Sequence, residues 1–134
     1  MAIFLNKTEY RKTALSMKVK RFTVEVADSF MKIMRGLMDR ERLPADGGML
    51  FVFKRDRKYG FWMLNMKFGI DIIWLDKNYR VVYVWRNAMP CKSIFSCRTV
   101  KPDEDSRYVL EVRAGTASAL RLRIGDRIRI GNSC

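Results

Sequence analysis

Residues 70–89 read IDIIWLDKNYRVVYVWRNAM. Two apolar runs, 70–75 and 79–89, flank Asp76-Lys77-Asn78, a polar trio of the kind that makes turns. The pattern predicts two β-strands joined by a tight connection. In the second run, the five residues from Val81 to Trp85 are all apolar, with no alternation. A strand of that kind is expected to be covered on both faces, as in the middle of a sandwich or barrel.

The neighbouring segments extend the same reading. Towards the N-terminus, the turn PADGG at 44–48 precedes the apolar strand MLFVF at 49–53. Further upstream, VKRFTVEVAD alternates: Phe22, Val24 and Val26 face one way and Arg21, Thr23 and Glu25 the other. Asp28 or Ser29 is placed to cap a helix, in which Phe30, Ile33, Met34 and Leu37 recur at the spacing of one buried face. Gly36 interrupts that helix, and its end is expected between Met38 and Glu41. Towards the C-terminus, a polar loop at 90–106 leads to the strand RYVLEVRAG at 107–115, a helical turn TASALR, and RIRI at 127–130 after the Gly125-Asp126 turn. The chain reads as mainly β, a sandwich or barrel with one α-helix packed against it. Residues 1–18 read as an N-terminal arm or extra strand, and 19–134 as a single β-rich domain.

Composition narrows the chemistry. The chain has 134 residues with 27 Lys and Arg against 14 Asp and Glu, a net charge of +13. Such a charge attracts nucleic acid, anionic surfaces and acidic partners without selecting one. There is no His, which excludes Ser-His, Cys-His and His-metal mechanisms together. The absence of Gln fits a thermophilic source, where amides are depleted. The apolar run before Asn6 is too short for a signal segment, and no window approaches the roughly 20 apolar residues of a membrane span. A soluble, cytoplasmic protein without a bound metal or cofactor is expected.

Besides Lys67, two polar groups stand inside the apolar stretch FWMLNMKFGIDIIW at 61–74: Asn65 and Asp71. A buried carboxylate survives by pairing or by accepting hydrogen bonds, and Arg35 on the helix is a candidate partner through its planar fork. Glu111, between Leu110 and Val112, points to the face opposite them and needs a partner if that face is also covered. Arg35, Asn65, Asp71 and Glu111 thus form either a structural polar network or a small pocket walled by Trp62 and Met63. Two acids could also serve a carboxylate-dependent enzyme. Cys91 and Cys97 enclose the loop CKSIFSC, for which a disulfide, free thiols or a redox pair remain open. Tyr59, Phe61, Trp62, Trp74, Tyr83 and Trp85, with Arg55, Arg57, Lys58, Lys67, Arg80 and Arg86 nearby, match the stacking-plus-cation pattern of single-stranded nucleic-acid binders. The same aromatics could equally be core.

Seven short motifs also occur in one order: RGLM at 35–38, GMLFVF at 48–53, FWMLNM at 61–66, DIIWLD at 71–76, PC at 90–91, YVLEV at 108–112 and GD at 125–126. In this order they resemble the family called domain of unknown function 192, over roughly Val19 to Ile130. The resemblance implies a jelly-roll-like β-sandwich and brings no activity, cofactor or catalytic residue. The function expected is that of a noncatalytic small-molecule-binding or interaction module, with an unknown ligand or protein as partner. The alternatives are a basic nucleic-acid-binding protein and a carboxylate-dependent enzyme.

Overall fold

Seven strands form one sheet in the computed structural model, which describes residues 10–131. The strands are β1 (Lys12–Met17), β2 (Lys20–Ala27), β3 (Met49–Arg57), β4 (Ile70–Leu75), β5 (Val81–Ala88), β6 (Ser106–Arg113) and β7 (Arg129–Ile130), with short helices α1 (Phe30–Arg35) and α2 (Thr116–Ala119). Their order in the sheet is β5-β4-β6-β3-β2-β1-β7. Residues 1–9 of the expected arm, and Cys134, lie outside the described residues. The chain is mainly β, as its patterning predicts.

All paired neighbours run antiparallel except β2 and β3, which are parallel. A parallel pair needs a crossover, because the chain must return to the end where it started. Here residues 28–48, carrying α1, make that crossover and lie over one face of the sheet. The sheet also curls until its two margins meet. Val81 N–H donates to the Asp126 carbonyl at 2.7 Å and Ile128 N–H to that of Tyr79 at 2.9 Å, while Arg129–Ile130 pair with β1.

Curling gives each face its own core. Leu15, Phe22, Val24, Leu50, Ile73 and Leu110 pack inside the curl, closed by Ala117 of α2. Met49, Phe51, Ile72, Trp74 and Val109 form the outer face, covered by Leu37, Leu43, Met63 and Met66 from the connections. Each such side chain contributes about 1.5–3 kcal/mol through removal from water.

Two expectations need correction. The strand covered on both faces is β4, buried at every residue, while β5 is a marginal strand whose Tyr83 is 37% exposed. Apolarity in β5 reflects partial cover along its length, not a central position. Second, α1 is only six residues long and none is buried: Phe30 is 74% exposed, and of the expected face only Leu37, beyond the helix, is fully covered. Gly36 ends the helix at φ +53°, where a side chain would also press on the Phe51 ring, 3.2 Å away. Between β3 and β4, FWMLNM at 61–66 is an irregular segment held by single bridges, Phe61 to Val100 and Leu64 to Cys91.

Candidate ligand-binding site

The sheet register sends the two buried acids to opposite faces. Asp71 lies opposite Val112 and shares the inner face with Ile73, whereas Glu111 lies between Met49 and Ile72 on the outer face. They cannot form one cluster. Their surroundings differ as sharply.

Asp71 is fully buried and fully satisfied. One carboxyl oxygen accepts the Asn87 N–H and the other the Ala117 N–H, each at 2.8 Å. The first bond fills a gap in the sheet. Between Ile70–Ala88 and Ile72–Trp85, β5 has two residues, Arg86 and Asn87, where β4 has only Asp71. Such a bulge frees an N–H from the ladder, and the Asp71 carboxylate takes it. The second bond holds the first turn of α2 against the curl. Arg35 is not its partner, so Asp71 belongs to the structural reading.

Glu111 is 5% exposed, and no donor among the described residues hydrogen-bonds its carboxyl. Apolar neighbours on both sides explain this: neither Met49 nor Ile72 can donate. Burial disfavours the ionised form and pushes the Glu111 carboxyl up to about 8. Its open side faces a cavity of ≈ 430 Å³ between α1, the 59–66 segment and the outer face of the sheet.

The walls of that cavity are aromatic. Phe53 stacks on Tyr59 with ring centroids 3.7 Å apart, and Phe51 meets Phe61 edge-on at 5.0 Å. Behind them, Trp74 Nε1 donates to the Tyr59 carbonyl at 2.7 Å, which fixes the segment that bends over the sheet. Trp62, 37% exposed, stands at the mouth with Met34 and Arg35. Arg35 is exposed, and no carboxylate among the described residues pairs with it.

Of the expected pocket residues, Arg35, Trp62 and Glu111 come together, while Asp71 and Met63 do not. Asn65 is exposed beside the rim at φ +63°, and its carbonyl accepts the Asp39 N–H at 3.2 Å, tying the two connections that roof the outer face. Phe51 and Phe53, outside the expected pocket residues, also wall the cavity. Their alternation in MLFVF, which puts both on one face, is the signal that points to them. The Cys91 and Cys97 sulfurs lie within disulfide-bonding distance, Cα atoms 5.3 Å apart, and Cys91 N–H donates to the Met63 carbonyl behind the 61–66 segment. The expected stacking aromatics are mostly occupied: Trp74 is fully buried and the Arg98 guanidinium lies 5.2 Å over the Trp85 ring.

Fold and site together define a class: a curled β-sheet protein with an aromatic-walled cavity built by its βαβ crossover and a lone acid on the floor. The chain belongs to the domain of unknown function 192 family, described as "Uncharacterized ACR", whose model matches residues 11–130. A UPF0127 protein of Pyrococcus horikoshii is 31% identical over 111 residues, 79% of this chain and 85% of the relative. Another from Thermococcus gammatolerans is 34% identical over 110 residues, and the match spans 64% of its length. Thermophilic archaeal relatives agree with the amide-poor composition. Among solved structures, a Sinorhizobium meliloti protein provisionally described as a transcription regulator superposes with a TM-score of 0.83 at 29% identity, covering 92% of this chain and 96% of its own. A Novosphingobium aromaticivorans protein of unknown function gives 0.77 at 25%, covering 90% and 84%. None of these names carries a specific activity to this chain. Among the described residues no helix is long and apolar enough to cross a membrane.

Proposed function

We propose that this protein is a noncatalytic small-molecule-binding module, with the cavity over the outer face as its site. The observation that supports this most is Glu111: its carboxyl has no hydrogen-bond partner among the described residues and opens onto the aromatic-walled cavity, where a ligand can reach it. Among the described residues Glu111 is the one carboxyl lining the cavity, and no second titratable group hydrogen-bonds it, which favours binding over acid–base turnover. Trp62 at the mouth supplies the test. Titration with apolar fragments should shift Trp62 emission and the amide signals of Phe53, Tyr59 and Phe61, and Trp62→Phe should remove the emission change. Perturbations scattered over the surface, or none at millimolar fragment, would count against the site.

Nucleic acid is the second reading, favoured by the cations that gather where the sheet margins meet. Arg80 bridges Arg127, and Arg129 lines the same depression as Lys18, which pairs with Asp126 at 3.0 Å. Labelled single-stranded and duplex oligonucleotides would be titrated across a salt series. Binding that persists at about 0.15 M salt and weakens in Arg127→Ala would favour it; binding already lost there is counterion-driven attraction.

A further inference from the structure

We infer that the ligand of this cavity is an apolar amine, seated with its ammonium against the Glu111 carboxylate and its hydrocarbon body against the aromatic walls. The inference rests on the small-ligand reading and adds the chemical class.

The geometry leaves the acid a single open side. Within the sheet, Met49 and Ile72 flank Glu111, and neither offers charge or a donor. The charged groups sharing its face are committed elsewhere or stand at the edge. Glu25, beyond Met49 on β2, holds Arg40 in a two-pronged pair, with Arg40 Nη2 to Glu25 Oε1 at 3.0 Å. Arg113, the next outward residue of β6, donates to the Leu43 carbonyl at 3.1 and 2.8 Å. Arg35 stands exposed at the mouth, and Tyr59 stacks on Phe53 in the wall. No cation among the described residues therefore serves Glu111, so a counter-charge for its carboxylate is left for the ligand to supply.

Electrostatics favours an ammonium over a neutral donor. A charge-assisted hydrogen bond is roughly twice as strong as a neutral one. Burial holds the empty site's acid largely protonated near neutrality. An arriving ammonium stabilises the carboxylate, so the acid gives its proton to solvent and an ion pair forms. Proton and charge balance: one proton leaves as one cation enters. Arg35 at the mouth repels a second cation and suits a neutral or anionic outer end.

The test uses three matched probes on the whole chain: 2-phenylethylamine, 2-phenylethanol and 3-phenylpropionate, by calorimetry and amide shifts. Near pH 7 the amine should bind at least about tenfold more tightly than the alcohol, with the carboxylate weakest. Calorimetry in buffers of different ionisation enthalpy should show close to one proton released per amine and none per alcohol. Amine affinity should climb as pH rises from about 6 to about 8 and then level off. Glu111→Gln, isosteric and checked for folding by its amide spectrum, should keep alcohol binding but lose the amine preference and the proton release. Equal affinity for amine and alcohol would overturn the ligand class while leaving the cavity a small-molecule site. An amine preference that survives Glu111→Gln would overturn the role of that residue. Failure of all three probes to bind would overturn both readings.

Discussion

Asp71 accepts two backbone N–H groups at 2.8 Å, from Asn87 and Ala117, whereas the Glu111 carboxyl meets none. Removing either acid should therefore act in opposite directions. Asp71→Ala strands two buried donors, one in the β4–β5 bulge and one at the start of α2, and should cost about 2–4 kcal/mol. Urea unfolding measures this, and hydrogen exchange should quicken first at Asn87 and Ala117. A midpoint unchanged from the parent would sink the account. Glu111 governs pH instead. Its folded carboxyl titrates near 8 against an ordinary value near 4.5, so the native state holds the proton more tightly than the unfolded chain. Stability must then fall as pH climbs from about 4.5 to about 8 and level off above, with a slope of at most about 1.4 kcal/mol per pH unit. Asp126 does not confuse that window. The Arg123 backbone N–H and Lys18 hold it below its usual range, so its contribution is lost only as pH falls further. Glu111→Gln should flatten the decline, and thermal melts across the range decide it. Both acids are visible in the sequence as polar islands in apolar strands. Their separation is not, because it depends on Ile72 facing Glu111 across β4 and β6, a register no local pattern states.

At the level of elements, the approach of β3 to β6 hangs on Gly48. A Cβ there would stand 2.5 Å from the Glu111 carbonyl oxygen and 3.2 Å from a Val112 methyl. Backbone cannot rotate aside as a side chain can, so Gly48→Ala must push the two strands apart, at about 1–3 kcal/mol. It should also disturb the cavity floor: a lower melting temperature accompanied by amide shifts at Glu111 and Val112 is expected. A melting temperature at the parent value would show the strands more compliant than this packing allows. The strands themselves are legible because alternation in β2 and apolar runs in β3 and β4 follow from burial of a pleated face. The crossover is less so. Phe30, Ile33, Met34 and Leu37 carry helical spacing, yet α1 stops after Arg35 and leaves Phe30 and Met34 in solvent. Periodicity reports which residues can share a face, whereas burial requires a surface to meet that face. Over α1 the sheet supplies an open cavity, so only Leu37, past the Gly36 turn, reaches the core. The cavity escapes sequence reasoning for the same reason: its walls come from β3, the 59–66 segment and the α1 exit, joined only by folding.

For the molecule as a whole, the excess of basic over acidic residues sets up an opposition that salt can resolve. Five ion pairs link described residues, among them Arg11–Asp28, Lys18–Asp126 and Lys67–Glu41, and most are substantially exposed. Exposed pairs contribute about 0–1 kcal/mol each and weaken as salt screens them. Self-repulsion from a net charge of +13 is screened too, and it acts on every uncompensated cation at once. Cations crowd where the margins join, with Arg80 beside Arg127 and Arg129 in the same depression, where the lining carboxylate, Asp126, pairs with Lys18. That seam is secured by few backbone bonds, including Val81 to Asp126 and Ile128 to Tyr79, so repulsion there bears on closure of the curl. Raising sodium chloride from about 0.02 to about 0.3 M shortens the screening length from roughly 20 Å to below 8 Å. We expect relief of repulsion to outweigh the loss of the pairs, and the melting temperature to rise by about 3 °C, equivalent to about 1 kcal/mol for a chain of this size. Scanning calorimetry across that range decides the sign. A fall would mean the ion pairs outweigh the repulsion. In a rise, Arg127→Ala should take part of the gain with it, since one charge fewer at the seam leaves less for salt to screen.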